Sequence, residues 1–396
     1  MGLTLSEVGK EKTYKTIAYY ASFVVLGVTT AILGPTLPGL ASHTGTQLRE
    51  ISFLFTARSL GYLLGSLLGG WAYDRFTGHI VLAGSLLILS GTALLTPLIP
   101  VLWVLAAVLL LMGIGEGGTD VGGNTLLVRV YRDKVGPYMN GLHFFFGLGA
   151  FLSPIVVAWA VQMSGDINWG YWFLALLVLP VVVWLLRLPS PQAPEEQGYG
   201  SQVNHDYLLI AMVVLFLFLY VGAEASYGGW VFTYSTRKLD LSETSNAAYL
   251  TSAFWGALTV GRLVSIPLAL RIRPRVMLLV DLIGCLVSLG LVLLWPSSVT
   301  VIWIGSLGLG LFMAAIFPTT LTLAGRHMKM TGQVTGWFFV GAGLGGMFLP
   351  WLIGQLFEEI GPRVTMYVIA IDLVIAFGVY LLLVSLITSR GGREKI

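Results

Sequence analysis

Long apolar runs recur along the chain, each closed by a short polar break, and no strand-length stretch alternates polar with apolar residues. A bilayer core of about 30 Å takes about 20 apolar residues per helical crossing, whereas a membrane barrel is built from short alternating segments. The pattern therefore predicts an all-α membrane protein of twelve transmembrane helices, over 15-41, 48-73, 79-97, 100-128, 136-163, 168-188, 207-236, 245-270, 275-295, 299-325, 331-357 and 363-388. The longest polar break, PSPQAPEEQGYGSQVNHD, falls at the midpoint and reads as a flexible linker. It divides the chain into a bundle over 1-189, a linker over 190-206 and a second bundle over 207-396.

The halves resemble each other. Gly147-Leu148-Gly149 with Pro154 in the fifth span recurs as Gly343-Leu344-Gly345 with Pro350 in the eleventh, and Gly113-Ile114-Gly115 in the fourth echoes Gly308-Leu309-Gly310 in the tenth. Two pseudo-symmetric six-helix repeats follow, with a binding site expected between them near the midplane. Stripes such as Gly61, Gly65 and Gly69 fit close helix packing.

Composition agrees: 56% of the 396 residues are hydrophobic and 10% charged, against roughly 25% charged in soluble domains. Charge adds the orientation. With the amino terminus inside, sixteen Lys and Arg residues fall on inner segments, from Lys10, Lys12 and Lys15 to Arg393 and Lys395, against Arg49, Arg237, Lys238 and Arg363 outside. The positive-inside rule then puts both termini in the cytoplasm of a multi-pass protein of the cytoplasmic (inner) membrane. The polar start, Met1 to Lys15, precedes an apolar run long enough to span, so the first helix is expected to be retained. Cys285 is the sole cysteine, which excludes an intramolecular disulfide and a cysteine metal cluster. The chain contains no HExxH, GxSxG or GxxxxGK[ST], so no enzyme is expected. No cofactor is expected beyond a bound Na⁺ or H⁺. The expected partners are lipid and a small-molecule substrate, with no nucleic acid, and the chain is expected to be a monomer.

Gly70-Trp-Ala-Tyr-Asp74-Arg75-Phe-Thr-Gly78, after the second span, resembles the inward-side signature of the major facilitator superfamily, although His79 follows where that signature is basic. The second-half counterpart, Leu270-Arg271-Ile-Arg273-Pro-Arg275, lacks the aspartate. In that family the acidic and basic pair latches a gate, which the resemblance gives to Asp74 and Arg75. Further segments are similar to the branch holding the bacterial fucose permease and the animal sodium-dependent glucose transporter. They are Gly113-Ile-Gly-Glu116-Gly-Gly-Thr-Asp120-Val-Gly-Gly-Asn124, His143-Phe-Phe-Phe-Gly147-Leu-Gly149 and Tyr220-Val-Gly-Ala-Glu224-Ala-Ser-Tyr227-Gly-Gly-Trp230-Val-Phe-Thr-Tyr234, with Phe254-Trp255-Gly256, Gly261-Arg262 and Ile316-Phe-Pro318-Thr319. The resemblance covers essentially the whole chain and implies hexose-type cargo coupled to H⁺ or Na⁺. A first-span aspartate of the fucose permease pattern is absent here, where Gly34 stands.

A charge at the bilayer centre costs about 2.5–3.5 kcal/mol on insertion scales, so each needs a partner, a cavity or a function. Arg58, Glu116, Asp120, Glu224, Arg262, Asp281 and Asp372 meet that description. Glu116, Asp120 and Asn124 recur every four residues and share one side of the fourth helix. They form the candidate cation-coupling site, with Asp120 the candidate Na⁺ ligand; the alternative for Glu116 is a structural pair with Arg58. Glu224 lies among aromatic residues, and a carboxylate beside aromatic faces suits a sugar's hydroxyls and its apolar C–H face. The candidate substrate residues are Asn124, His143, Glu224, Tyr227, Trp230, Trp255 and Trp337, each with packing as the alternative. Arg262 and Asp281 are expected to be a structural or gate pair, and Asp372 has no assigned role.

These readings favour a sugar symporter working by alternating access and coupled to Na⁺ or H⁺. The alternative is proton-coupled efflux of amphipathic drugs or lipids; a receptor of the same fold is a third possibility. The polar set Asn124, Asn140, His143, Glu224 and Thr319 favours sugar, because drug cavities are largely apolar.

Overall fold

The computed structural model describes residues 5–192, 206–238, 244–328 and 330–391. Most of the predicted linker, 193–205, lies outside the described residues. Among those described, helices and turns make up the whole fold. In chain order the helices are α1 (Leu5–Thr44), α2 (Leu48–Ile51), α3 (Phe53–Arg75), α4 (Gly78–Leu95), α5 (Leu102–Tyr131), α6 (Gly136–Ser164) and α7 (Asn168–Arg187). They continue as α8 (Tyr207–Lys238), α9 (Thr244–Ala269), α10 (Pro274–Leu294), α11 (Val299–Met313), α12 (Ile316–Gly325), α13 (Gly332–Ile360) and α14 (Val364–Gly391). Twelve helical stretches among the described residues are long and apolar enough to span a membrane, with α2–α3 and α11–α12 each forming one crossing. They follow the predicted spans closely; the first, predicted from residue 15, runs Lys10–Thr44.

Local chemistry sets several ends. Ser298 and Thr331 cap α11 and α13 by accepting the amides of Val301 and Val334, which satisfies N–H groups the first turn leaves without partners. Gly165 and Gly361 follow α6 and α13 with φ of 79° and 88°, a region open to glycine at no steric cost. The tenth span breaks between Met313 and Ile316, where Pro318 has no amide hydrogen for the Ala314 carbonyl.

Internal contacts divide the chain into two compact units: Met1–Gln47 with Ala57–Gln197, and Leu48–Thr56 with Gly198–Ile396. The sequence places 48–56 in the first half, whereas its contacts belong to the second unit. There the Gln355 amide donates to the Arg49 carbonyl at 2.9 Å and to Ser52 Oγ at 3.3 Å.

The glycine repeats mark where each unit is drawn tightest. In the first, α1 packs on α6, and a Cβ added at Gly149 would lie 2.1 Å from the Val24 carbonyl oxygen. In the second, α8 packs on α13, and a Cβ at Gly345 would lie 1.9 Å from that of Phe218. The same Gly-Leu-Gly element thus brings backbones together at matching places in both repeats. Gly149→Ala and Gly345→Ala should each lower thermal stability by about 1–3 kcal/mol, the range for overpacking. Gly84→Ala, which meets nothing within 4 Å, should leave it unchanged or slightly raised. Thermal unfolding of the purified variants checks this, and equal loss at Gly84 would show the backbone approach is not the cause.

Candidate functional site

In the first unit α3 and α5 bring two polar ladders together. Gly61 and Gly65 on α3, and Gly113 and Gly117 on α5, leave no room for a Cβ: each would lie 2.0–2.3 Å from a carbonyl oxygen of the facing helix. At this separation Arg58 reaches Glu116 with a two-pronged contact, Nε to Oε2 at 2.9 Å and Nη2 to Oε1 at 2.5 Å. Its Nη1 and Nη2 also donate to the carbonyls of Thr30 and Thr29 on α1, at 3.1 and 3.2 Å. The Arg58 and Glu116 side chains are 12% and 4% exposed. Glu116 is thus paired with Arg58, because a guanidinium fork matches a carboxylate in both shape and charge.

One turn along each helix, Tyr62 donates its hydroxyl to Asp120 Oδ2. Asn124 donates Nδ2 to Asp120 Oδ1 and to the Asp120 carbonyl, both at 2.9 Å. Glu116, Asp120 and Asn124 therefore share a side of α5, as their spacing predicts. Tyr62 was not legible as a site residue, although it stands four residues after Arg58 just as Asp120 stands four after Glu116.

The second unit holds another cluster at Glu224 on α8. Tyr220, one turn before it, donates to Glu224 Oε2 and also lies 2.9 Å from the Met313 carbonyl at the break in the tenth span. Arg262 on α9 comes within 4.0 Å of Glu224 Oε1. This corrects the expected pairing of Arg262 with Asp281: the guanidinium is turned to α8, and no ion pair reaches Asp281 among the described residues. The break at Pro318 was a readable signal for this cluster, since interrupted helices expose backbone groups where transporters bind cargo.

The remaining candidates divide between core and surface. Tyr227 and Trp230 are fully buried. Tyr227 shares a hydrogen bond with Ser306 at 2.6 Å, and the Trp230 indole donates to the Pro350 carbonyl at 2.9 Å. Both serve here as core packing, because large aromatics bury most area at helix interfaces. Thr319 is likewise buried, 3.6 Å from Met277 Sδ. Trp255 packs edge-on against Phe254 and is 6% exposed, with its Nε1 lacking a hydrogen-bond partner among the described residues. Trp337 is 53% exposed and lines an apolar groove of about 670 Å³ with Tyr207, Phe218 and Leu344, whereas Phe338 beside it is buried. His143 sits half-buried on α6, edge-on to Phe23. At the motif after the second span, Asp74 faces Arg129 of α5 at 3.4 Å, while the Arg75 guanidinium lies over Trp71, 4.9 Å from its ring centre. The acidic residue's partner is therefore Arg129, not its neighbour in sequence. No group of three or more His, Cys, Asp or Glu side chains suited to a metal ion occurs among the described residues.

Comparison with known proteins follows from this architecture. The chain is 30% identical to sodium-dependent glucose transporter 1A of Mus musculus, over 85% of this chain and 88% of that protein. It is 32% identical to sodium-dependent glucose transporter 1 of Rattus norvegicus, over 88% and 80%. Major facilitator superfamily domain-containing protein 4A of Homo sapiens is 27% identical, over 93% and 91%. Among solved structures, the nucleoside transporter NupG superposes with a TM-score of 0.76 at 14% identity, over 95% of this chain and 99% of that one, which shows a shared fold. A bacterial homologue of the human lysosomal transporter Spinster gives 0.68 at 14% identity, over 94% and 97%. The sequence profile of the Major Facilitator Superfamily matches residues 19–350, and with twelve spans in two repeats this multi-pass membrane chain belongs to that transporter family.

Proposed function

We propose that this protein carries a hexose-type sugar across the membrane by alternating access, coupled to Na⁺ or H⁺ moving with it. The observation that carries the reading is the similarity, over most of both chains, to proteins named sodium-dependent glucose transporters. The site geometry supports it. Neutral donors, Tyr62 and Asn124, hold the Asp120 oxygens while Arg58 is turned to Glu116. A monovalent cation would find there a carboxylate with the Asn124 side-chain oxygen close by. The Glu224 carboxylate, with Tyr220 and Arg262, offers the charge-assisted acceptor and donors a sugar needs. The Trp255 indole supplies an aromatic face and an unused N–H donor. On the charge asymmetry of the polar breaks we place both termini in the cytoplasm, with the protein working as a monomer in the cytoplasmic membrane.

The test is uptake of labelled D-glucose and L-fucose by proteoliposomes under an inward Na⁺ gradient and then an inward H⁺ gradient. Accumulation driven by either ion supports the reading; no movement of either sugar by folded protein would sink it. The apolar groove at Trp337 favours amphipathic efflux as the second reading, and proton-driven export of a cationic dye would then be seen instead. Within the sugar reading, Glu224→Gln should raise the sugar KM about 10- to 150-fold, the equivalent of one hydrogen bond to a charged group at about 1.5–3 kcal/mol. An unchanged KM would remove Glu224 from the sugar site.

A further inference from the structure

Asp281 takes no part in either cluster. It lies on α10, in the second turn from the end that carries Arg275, and is 8% exposed. Its Oδ2 is buried with no hydrogen-bond partner among the described residues. The helices packed most closely on α10 are α11, α12 and α14. Neither α11 nor α12 carries a titratable residue, and the titratable side chains described on α14 are Tyr367, Asp372 and Tyr380, none of them basic. On α10 itself, Arg275 is engaged at the helix start by Thr388 at 3.1 Å and His327 at 3.2 Å. Arg262, on α9, is drawn to Glu224. Among the described side chains of these elements, none supplies Asp281 with a counter-charge.

A carboxylate buried without a cation or donors costs several kcal/mol, whereas the neutral acid costs far less. The two carboxyls of the first unit solve the same problem with partners, Arg58 for Glu116 and Tyr62 with Asn124 for Asp120. At Asp281 the partner that fits is a proton. Cys285, one turn further along α10, is fully buried.

We propose that Asp281 is a proton-binding site of the second unit, separate from the cation position at Asp120. It stands whatever the cargo is, because it rests on the surroundings of α10 alone.

Infrared spectroscopy of the full-length protein in lipid at pH 7 tests this, since a neutral carboxylic acid has a C=O stretch distinct from a carboxylate's. The wild type should show that band, Asp281→Asn should lose one carboxyl's share of it, and Asp120→Asn should keep that share. Cys285, the sole cysteine, should stay unreactive to N-ethylmaleimide in each variant scored, which confirms folding around α10. A folded Asp281→Asn protein with an unchanged neutral-acid band would overturn the proposal. So would loss of the same component in Asp120→Asn, which would make the two positions one site.

Discussion

Arg58→Met should be among the most damaging single substitutions in this protein, lowering stability by about 3–5 kcal/mol, as expected when one partner of a buried ion pair is removed. The pair joins α3 to α5, both side chains are nearly buried, and the same guanidinium also serves two carbonyls of α1. Removing it strands the Glu116 carboxylate in a low-dielectric interior and leaves the Thr29 and Thr30 carbonyls with one donor fewer. Combining Arg58→Met with Glu116→Leu removes the stranded charge, so the double variant should recover most of the loss. Thermal unfolding of the two single variants and the double decides it. A double variant as unstable as Arg58→Met would show that the carbonyl contacts, rather than the ion pair, hold the three helices.

Asp120→Asn should abolish concentrative sugar uptake, leaving internal sugar no higher than external, while exchange of labelled for unlabelled sugar continues. Coupling requires that cation and sugar favour the same conformations, and a cation that no longer binds cannot bias the cycle. Asparagine is nearly isosteric, its one side-chain oxygen can still accept the Tyr62 hydroxyl, and Asn124 keeps its bond to the backbone carbonyl of residue 120, so the variant removes the charge and one side-chain acceptor while leaving the shape. Counterflow and gradient-driven uptake measured on one preparation separate the two effects. A variant that still concentrates sugar would remove Asp120 from ion coupling.

These two predictions differ in how far the sequence could reach them. The four-residue spacing of Glu116, Asp120 and Asn124 is enough by itself to put them on one side of a helix. Arg58 was the visible basic candidate for Glu116 because a membrane interior leaves few alternatives. Tyr62 was hidden, since a tyrosine in an apolar span reads as packing until the facing helix is known to place a carboxylate opposite it. The seventh-span motif was legible as a unit, but its members divided once folded: Glu224 and Tyr220 meet the broken tenth span, whereas Tyr227 and Trp230 fill the core. Arg262 was expected to pair with Asp281 because both sit near one end of adjacent spans. Depth in the membrane is readable from sequence, but the direction a side chain points around its helix depends on which neighbour packs there.

What the sequence by itself determined is therefore what hydrophobicity and repetition control: twelve helices, two repeats, the places of closest backbone approach, and which charges lie within the membrane. Lipid enforces this, because each crossing must satisfy its own backbone hydrogen bonds and a charge is costly wherever it lies. Only the tertiary structure decided which charges meet. Arg58 was given two prongs on Glu116, Asp120 two neutral donors, Asp74 a partner in Arg129, and Asp281 none among the described residues. Those outcomes rest on helix rotation and on contacts between residues far apart in the chain, and a difference of one position around a helix turns a side chain by about 100°.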